Sequence, residues 1–269
     1  MAEWSCEIMG EKDNKKVTLK LENVSKSFAK IENDEVTHAL NQVSLTMESG
    51  EFISLVGPSG CGKSTILRLV AGLITPTTGK LTVDGKEIEG PAPDRGMVFQ
   101  KPTLFPWLTV YDNIAFSLKR QGTYKGNEDK VERMLKVIGL EKFRHDYPGQ
   151  LSGGMAQRVA LVRSLINEPS ILLLDEPLGA LDAFTRMDMQ DEILKIWHER
   201  EQLAMMVTHD VDEAIYMGTR VIVMDANPGR VVADIKIPDA FPRDRSSAAF
   251  VEYRNEILNR LHFGGKHEL

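Results

Sequence analysis

The segment GPSGCGKST, Gly57 to Thr65, places three glycines, a lysine and three hydroxyl residues directly after the apolar run Phe52 to Val56. An ordinary turn from strand to helix needs one or two glycines, and it has no use for a Lys-Ser-Thr trio at the start of a helix. Anion binding does. In the pattern G-x-x-x-x-G-K-[ST], Gly57, Pro58, Ser59, Gly60, Cys61 and Gly62 form a loop whose backbone N–H groups cradle phosphate oxygens, with Lys63, Ser64 and Thr65 opening the helix. Lys63 would reach the β and γ phosphates, and the Ser64 hydroxyl would bind Mg²⁺. The helix beginning near Lys63 aims its positive end at the same charge.

Such a loop needs a metal partner and a base. ILLLDE, Ile171 to Glu176, is a continuous apolar strand, buried on both faces, that ends in two adjacent carboxylates. Asp175 can hold Mg²⁺ through water, and Glu176 can polarise an attacking water as general base. LSGGMAQ, Leu151 to Gln157, then offers Ser152, Gly153 and Gly154 at another helix start, a second anion site in one chain. One nucleotide does not need two such sites on one subunit.

LSGGMAQ resembles the LSGGQ signature of the ATP-binding cassette (ABC) family, with Met155 intervening before Gln157 and Arg158. In that family the signature of one subunit covers the γ-phosphate held by the P-loop of the other, so the resemblance implies a homodimer of cassettes around two MgATP. Gln100, after the strand RGMVFQ, resembles the Q-loop glutamine that senses γ-phosphate and Mg²⁺ and links the core to a helical lobe. LGALD, Leu178 to Asp182, resembles the D-loop, with Gly179 where serine is usual. His209, directly after the strand AMMVT and before Asp210, resembles the switch histidine that contacts the γ-phosphate. Phe28, in NVSKSF, matches the aromatic that stacks on adenine, although a single Phe at a strand end is more often core. The other five histidines, His38 and His262 among them, receive no role.

The elements that must position these residues can be read from periodicity. Val17 to Val24, Val43 to Met47 and Phe52 to Val56 read as strands, the last two joined by a turn at Ser49 and Gly50. Ile66, Leu69, Val70 and Leu73 recur at helical spacing, closed by Gly72, Pro76 and Gly79 before a strand KLTVDG. Val110 to about Arg144 is helical, broken by the polar loop TYKGNED. From Ser152 onward, helices alternate with strands at Ile171 to Leu174, Ala204 to Val207 and Arg220 to Met224, which implies right-handed crossovers and a largely parallel sheet. The fold class expected is α/β, a P-loop NTPase of the ABC type: a mixed, largely parallel sheet core with an antiparallel β subdomain and a helical subdomain. Residues 17–262 form the cassette, the helical lobe spans about 103–165, and 1–16 and 263–269 are tails.

Composition is that of a globular chain. The 269 residues are 42% hydrophobic, and the longest aliphatic stretch, Ile171 to Leu174, is far short of the roughly 20 residues of a membrane helix. The N-terminus lacks a secretory signal. A net charge of −6 argues against broad electrostatic capture of nucleic acid. The two cysteines, Cys6 and Cys61, lie far apart, and a disulfide at Cys61 would distort the glycine loop, so free thiols in a reduced cytosolic setting are expected.

One cassette without a membrane segment resembles an importer subunit peripheral to the cytoplasmic face of the membrane, with a solute-binding protein as indirect partner. LFPWLTVYDNIAFSL, Leu104 to Leu118, lies where importer cassettes meet the coupling helix of a permease, a contact that would use Phe105, Trp107 and Leu108. Trp107 reads equally as core of the helical lobe. PAPDRGMVFQ, LFPWLTVYDNI, ANPGRVV and FPRDRSSAAF together resemble the nitrate, sulfonate and taurine importer group, whose relatives also carry thiamine precursors. The rival from another class is a soluble ABC ATPase acting as a mechanical switch on a non-membrane partner, which would need an inserted coiled coil or a second cassette.

Overall fold

A computed structural model describes residues 16–29, 36–179 and 181–263; all but the innermost residue of each expected tail, Cys6, Ala180 of the D-loop and most of the loop after Phe28 lie outside these. Five strands build or border an antiparallel layer near the N-terminus: β1 (Thr18–Ala29), β2 (Val36–Glu48), β3 (Phe52–Val56), β4 (Thr78–Val83) and β5 (Lys86–Glu87). β2, β1, β4 and β5 pair in that order, all antiparallel, while β3 crosses into the main sheet. β1 and β2 run well past the short stretches read from alternation, because the ladder continues from Leu21↔Leu45 through bulges to Ala29↔Val36 and keeps the backbone paired where the side chains no longer alternate.

The main sheet is completed by β6 (Arg95–Val98), β7 (Ile171–Asp175), β8 (Leu203–Val207), β9 (Arg220–Asp225) and β10 (Arg230–Lys236), in the order β10-β9-β3-β8-β7-β6. All pairs from β9 to β6 are parallel, and β10 adds an antiparallel edge. β3, β7 and β8 are buried along their whole length, as expected for strands covered on both faces. Alternate residues of β3 enter two apolar clusters: Phe52 and Val56 face one with Leu172, Met206 and Trp197, and Ile53 and Leu55 face the other with Ile66, Leu69 and Met205. The Phe52 and Trp197 rings meet edge to face at 5.7 Å.

Helices α1 (Lys63–Val70), α2 (Val110–Gln121), α3 (Glu128–Val137), α4 (Gly153–Leu165), α5 (Ala183–Arg200), α6 (Val211–Met217) and α7 (Ala248–Phe263) complete the chain. α2, α3 and α4 share a third apolar cluster around Ile114, Leu135 and Val162. α1 stops at Val70, since Gly72 turns the chain at φ +72°, and Leu73, expected on its apolar face, lies beyond the end and is exposed. β10 and α7 have no counterpart in the sequence reading. Among the described residues, no helix is long and apolar enough to cross a membrane.

Candidate functional site

The parallel sheet brings four loops to one edge. The glycine loop follows β3, His209 follows β8, Asp175 and Glu176 end β7, and Gln100 lies two residues beyond β6. These strands are consecutive neighbours, β3-β8-β7-β6, and their C-terminal ends are where open α/β sheets take ligands.

The loop 57–62 is shaped by close backbone approach. A Cβ on Gly57 would lie 2.5 Å from the Met224 carbonyl oxygen and 2.7 Å from Cys61 Sγ. Gly62, at φ +90°, would drive a Cβ to 2.4 Å from Leu40 Cδ2. Pro58, Ser59 and Gly60 form the exposed rim, and Ser64 and Thr65 are half-buried in the first turn of α1. The Lys63 ammonium is buried and donates to the carbonyls of Gly57 (2.7 Å) and Pro58 (3.1 Å), so the cation is held over the cradle by the loop itself. Cys61 is a free thiol, as expected, but its side chain packs inward in the apolar cluster and burial pushes its thiol up. Its Sγ nevertheless lies 3.7 Å from the Lys63 ammonium, beneath the loop.

Across the edge, the Ser64 hydroxyl donates to Asp175 Oδ1 at 2.8 Å. Asp175 is buried; desolvation pushes its carboxyl up, the Ser64 hydroxyl pulls it down, and the neighbouring Glu176 charge pushes it up. A hydroxyl and one carboxylate are hard oxygen donors of the kind Mg²⁺ takes together with phosphate oxygens and water. Among the described residues no cluster of three or more His, Cys, Asp and Glu is placed to hold a metal ion.

Glu176 is held in the left-handed region at φ +45°, a conformation costing a non-glycine residue about 1–3 kcal/mol and found at functional sites. Its backbone N–H donates to Val207 O at 2.9 Å, which pins the turn to β8. Its carboxylate accepts from Gln100 Nε2 at 2.8 Å and faces His209 Nδ1 at 3.5 Å. The His209 side chain is 70% exposed and therefore open to a ligand. Glu176, Gln100 and His209 thus converge on one point, a carboxylate with an amide and an imidazole beside it.

Ser152 caps α4, its Oγ accepting from the Met155 N–H at 3.3 Å. α4 runs unbroken from Gly153, so Met155 occupies a regular helical position with no bulge around it. Ser152 and Gly153 are exposed, while Gly154 packs against the D-loop, where a Cβ would sit 3.1 Å from Leu181 Cδ2. Among the described residues no hydrogen bond or ion pair joins residues 152–155 to the loop 57–65. Phe28 is 40% exposed near the end of β1 with the Lys26 ammonium 5.1 Å from its ring centroid; it is not a core residue.

The sequence reading missed three supports. Gln157, buried in α4, donates to the Phe99 carbonyl at 3.3 Å and ties the approach to Gln100 to the helix that begins at the signature. Asn113, also buried, accepts from Phe105 N–H and donates to the carbonyls of Phe105, Leu108 and Thr109, fixing the loop that carries Trp107. Trp107 itself is 70% exposed, which rules out its reading as lobe core. Glu213, buried on α6 and lining the same cleft as Glu176 and His209, is the third. A buried polar residue leaves no periodic trace in a sequence, so only its contacts reveal it.

Fold and site together define a P-loop nucleotide hydrolase. The family model described as ABC transporter matches residues 40–179. Similar chains include an ABC transporter ATP-binding protein of Methanocaldococcus jannaschii, 49% identical over 252 residues, 93% of this chain and 94% of that one. The aliphatic sulfonates import ATP-binding protein SsuB of Bacillus cereus is 42% identical over 251 residues, covering 93% and 98%. The taurine import ATP-binding protein TauB of Roseobacter denitrificans is 44% identical over 251 residues, covering 90% and 93%. A solved dimeric ATP-binding cassette in a post-hydrolysis state, bound to ADP and Pi, superposes with a TM-score of 0.73 at 34% identity, covering 82% of this chain and all of that one. The chain belongs to the ABC transporter family and is an ATP-binding ABC-type ATPase.

Proposed function

We propose that this ATPase is the cytoplasmic, membrane-peripheral cassette of an importer, working as a homodimer around two MgATP and driving a separate permease that takes up a small solute. The observation that carries the importer reading is Trp107, 70% exposed on a loop whose backbone Asn113 holds with four hydrogen bonds. Its ring lies 5.6 Å from Phe105, whose ring in turn meets that of the exposed Phe116 at 4.3 Å, tilted by 40°. A pre-formed aromatic cluster beside Leu108 suits the apolar face of a permease helix. The names of the SsuB and TauB relatives support an aliphatic sulfonate or taurine as the cargo, while nitrate rests on the sequence resemblance alone.

In this reading Lys63 and the N–H groups of residues 57–65 bind the β and γ phosphates, and Phe28 stacks on adenine. Ser64, Asp175 and Gln100 hold Mg²⁺, which when bound neutralises developing phosphate charge. Glu176 takes the proton of the attacking water, and Gln100 and His209 orient that water and the γ-phosphate. Ser152, Gly153 and Gly154 serve the partner's nucleotide, which accounts for two anion sites in one chain. The solute-binding protein acts on the permease and touches this chain only indirectly.

Mild detergent extraction of the tagged chain from its native cells tests the importer reading. Co-purification of a polytopic membrane protein is expected. Soluble partners alone would overturn it in favour of a mechanical ATPase.

A further inference from the structure

The segment after β10, which contains FPRDRSS, grips α6 at both ends and in the middle. α6 has only seven residues, too few for its own hydrogen bonds to hold it in place, and His209 lies immediately before its N-cap, Asp210. At the C-terminal end, Arg243 is buried and its guanidinium donates to the carbonyls of Ile215 (2.5 Å) and Gly218 (2.5 Å), and also to Ile237 O (3.0 Å). A buried cation on those carbonyls satisfies groups that a helix end leaves unpaired and complements its dipole. In the middle, Arg245 lies 3.9 Å over the Tyr216 ring and donates to Gln190, whose amide donates to the buried Glu213 at 3.2 Å.

At the N-terminal end, Arg254 of α7 makes a two-pronged pair with Asp212: Nε to Oδ1 at 2.5 Å and Nη2 to Oδ2 at 2.6 Å. Asp212 is two residues past the cap, and its own N–H donates to Asp210 Oδ1 at 2.9 Å. A fork on a carboxylate fixes distance and plane together, which a single contact does not. Arg254 therefore reaches the backbone turn that carries His209 through one side chain and one hydrogen bond, without touching the nucleotide cleft.

We propose that residues 239–254 are the mount of the switch histidine, and that Arg254, acting through Asp212, is a positioning residue for ATP hydrolysis. The inference rests on the reading of His209 given above. It gives FPRDRSS a physical task where the sequence offered only kinship. Loss of the fork lets the turn at Asp210 shift, which displaces the imidazole while the glycine loop, Lys63 and Phe28 remain as they are.

The test is steady-state ATPase kinetics of the full chain, with direct ATP binding, for Arg254→Ala, Asp212→Ala, the double variant and His209→Ala. Arg254→Ala is expected to lower kcat about tenfold, the scale of a sub-ångström misplacement, while KM and the ATP Kd stay within about twofold. Asp212→Ala and the double variant should match it, because the two residues act as one unit. Arg254→Lys keeps the charge and loses the fork; it should fall between, and it carries the test if the alanine variant does not fold. Wild-type kcat in Arg254→Ala with an inactive His209→Ala overturns the proposal alone. Wild-type kcat in His209→Ala overturns the reading of the switch and the proposal with it. Equal losses in kcat and ATP affinity would mark a general structural role and also overturn it.

Discussion

Gln100 Nε2 donates to Glu176 Oε2 at 2.8 Å, joining residues 76 positions apart. Gln100 stands where β6 leaves the sheet for the helical lobe, and the preceding Phe99 carbonyl is held by Gln157 of α4. The carboxylate at the end of β7 is thereby bonded to the one segment that leads toward Trp107. In the proposed reading, a movement of the lobe against the sheet would make or break this bond, and docking at the lobe would reach the general base through this one contact.

Glu176→Gln should bind MgATP with wild-type affinity and hydrolyse it at least about a hundredfold more slowly, since the amide keeps the shape but cannot accept a proton from water. The ATP-bound dimer would then persist. Size measurement with MgATP should show a dimer for the variant; a monomer with undiminished turnover would remove Glu176 from the base role.

Asp175→Asn separates stability from activity. Burial is the main cause that pushes the Asp175 carboxyl up in the folded chain. A carboxyl raised in this way contributes stability that is fully present below its unfolded pKa, about 3.9, and is lost as pH rises through the folded value. At neutral pH the ionised side chain is therefore a burden on the nucleotide-free fold. The variant should melt at a higher temperature than wild type near pH 7, and the gain should shrink as pH falls toward about 4. Its Mg²⁺-dependent hydrolysis should be lost. Thermal melts across that range check the sign; a lower Tm at pH 7 would contradict it.

Trp107→Ala should change the stability of the isolated chain by no more than about 0.5 kcal/mol, since the ring is largely in solvent. Retention of a co-purified permease should fall sharply, because exposed aromatic anchors dominate interfaces. Urea melts and detergent pull-downs read the two effects separately. A large loss of stability would return Trp107 to the lobe core.

The chemistry-bearing loops were legible because each needs particular residue types at a strand end. Gly57 to Ser64 must have glycines where other backbone comes within 3 Å, and Ile171 to Glu176 must be apolar until it reaches the edge. Elements defined by partners left weaker marks. α7 sets Phe250, Tyr253, Ile257 and Leu261 against the core at helical spacing, but only Phe250 and Ile257 are fully buried, and the sequence reading passed the stripe over. β10 is half-exposed at the sheet edge and shows little alternation. Arg243 reads as a surface charge, yet it is buried on helix-end carbonyls. Trp107 misleads in the opposite direction, because its hydrophobicity suggests a core that the buried Asn113 denies it.

The claim that each nucleotide is shared between two copies is tested most directly by mixing two inactive chains. Lys63→Ala loses the cation on the β and γ phosphates, and Gly153→Asp puts a carboxylate where the signature would meet the partner's γ-phosphate. Gly153 is the better signature position, because a Cβ there meets nothing within 4 Å, whereas one at Gly154 would press on Leu181. In a mixed head-to-tail dimer, one site carries both defects and the other has an intact P-loop from the Gly153→Asp chain and an intact signature from the Lys63→Ala chain. ATPase activity of the mixture, with Lys63→Ala in excess and dimer formation followed by cross-linking, is the measurement. Recovery of activity that neither chain shows alone is the predicted result; an inactive mixture in which mixed dimers have formed would contradict the shared site.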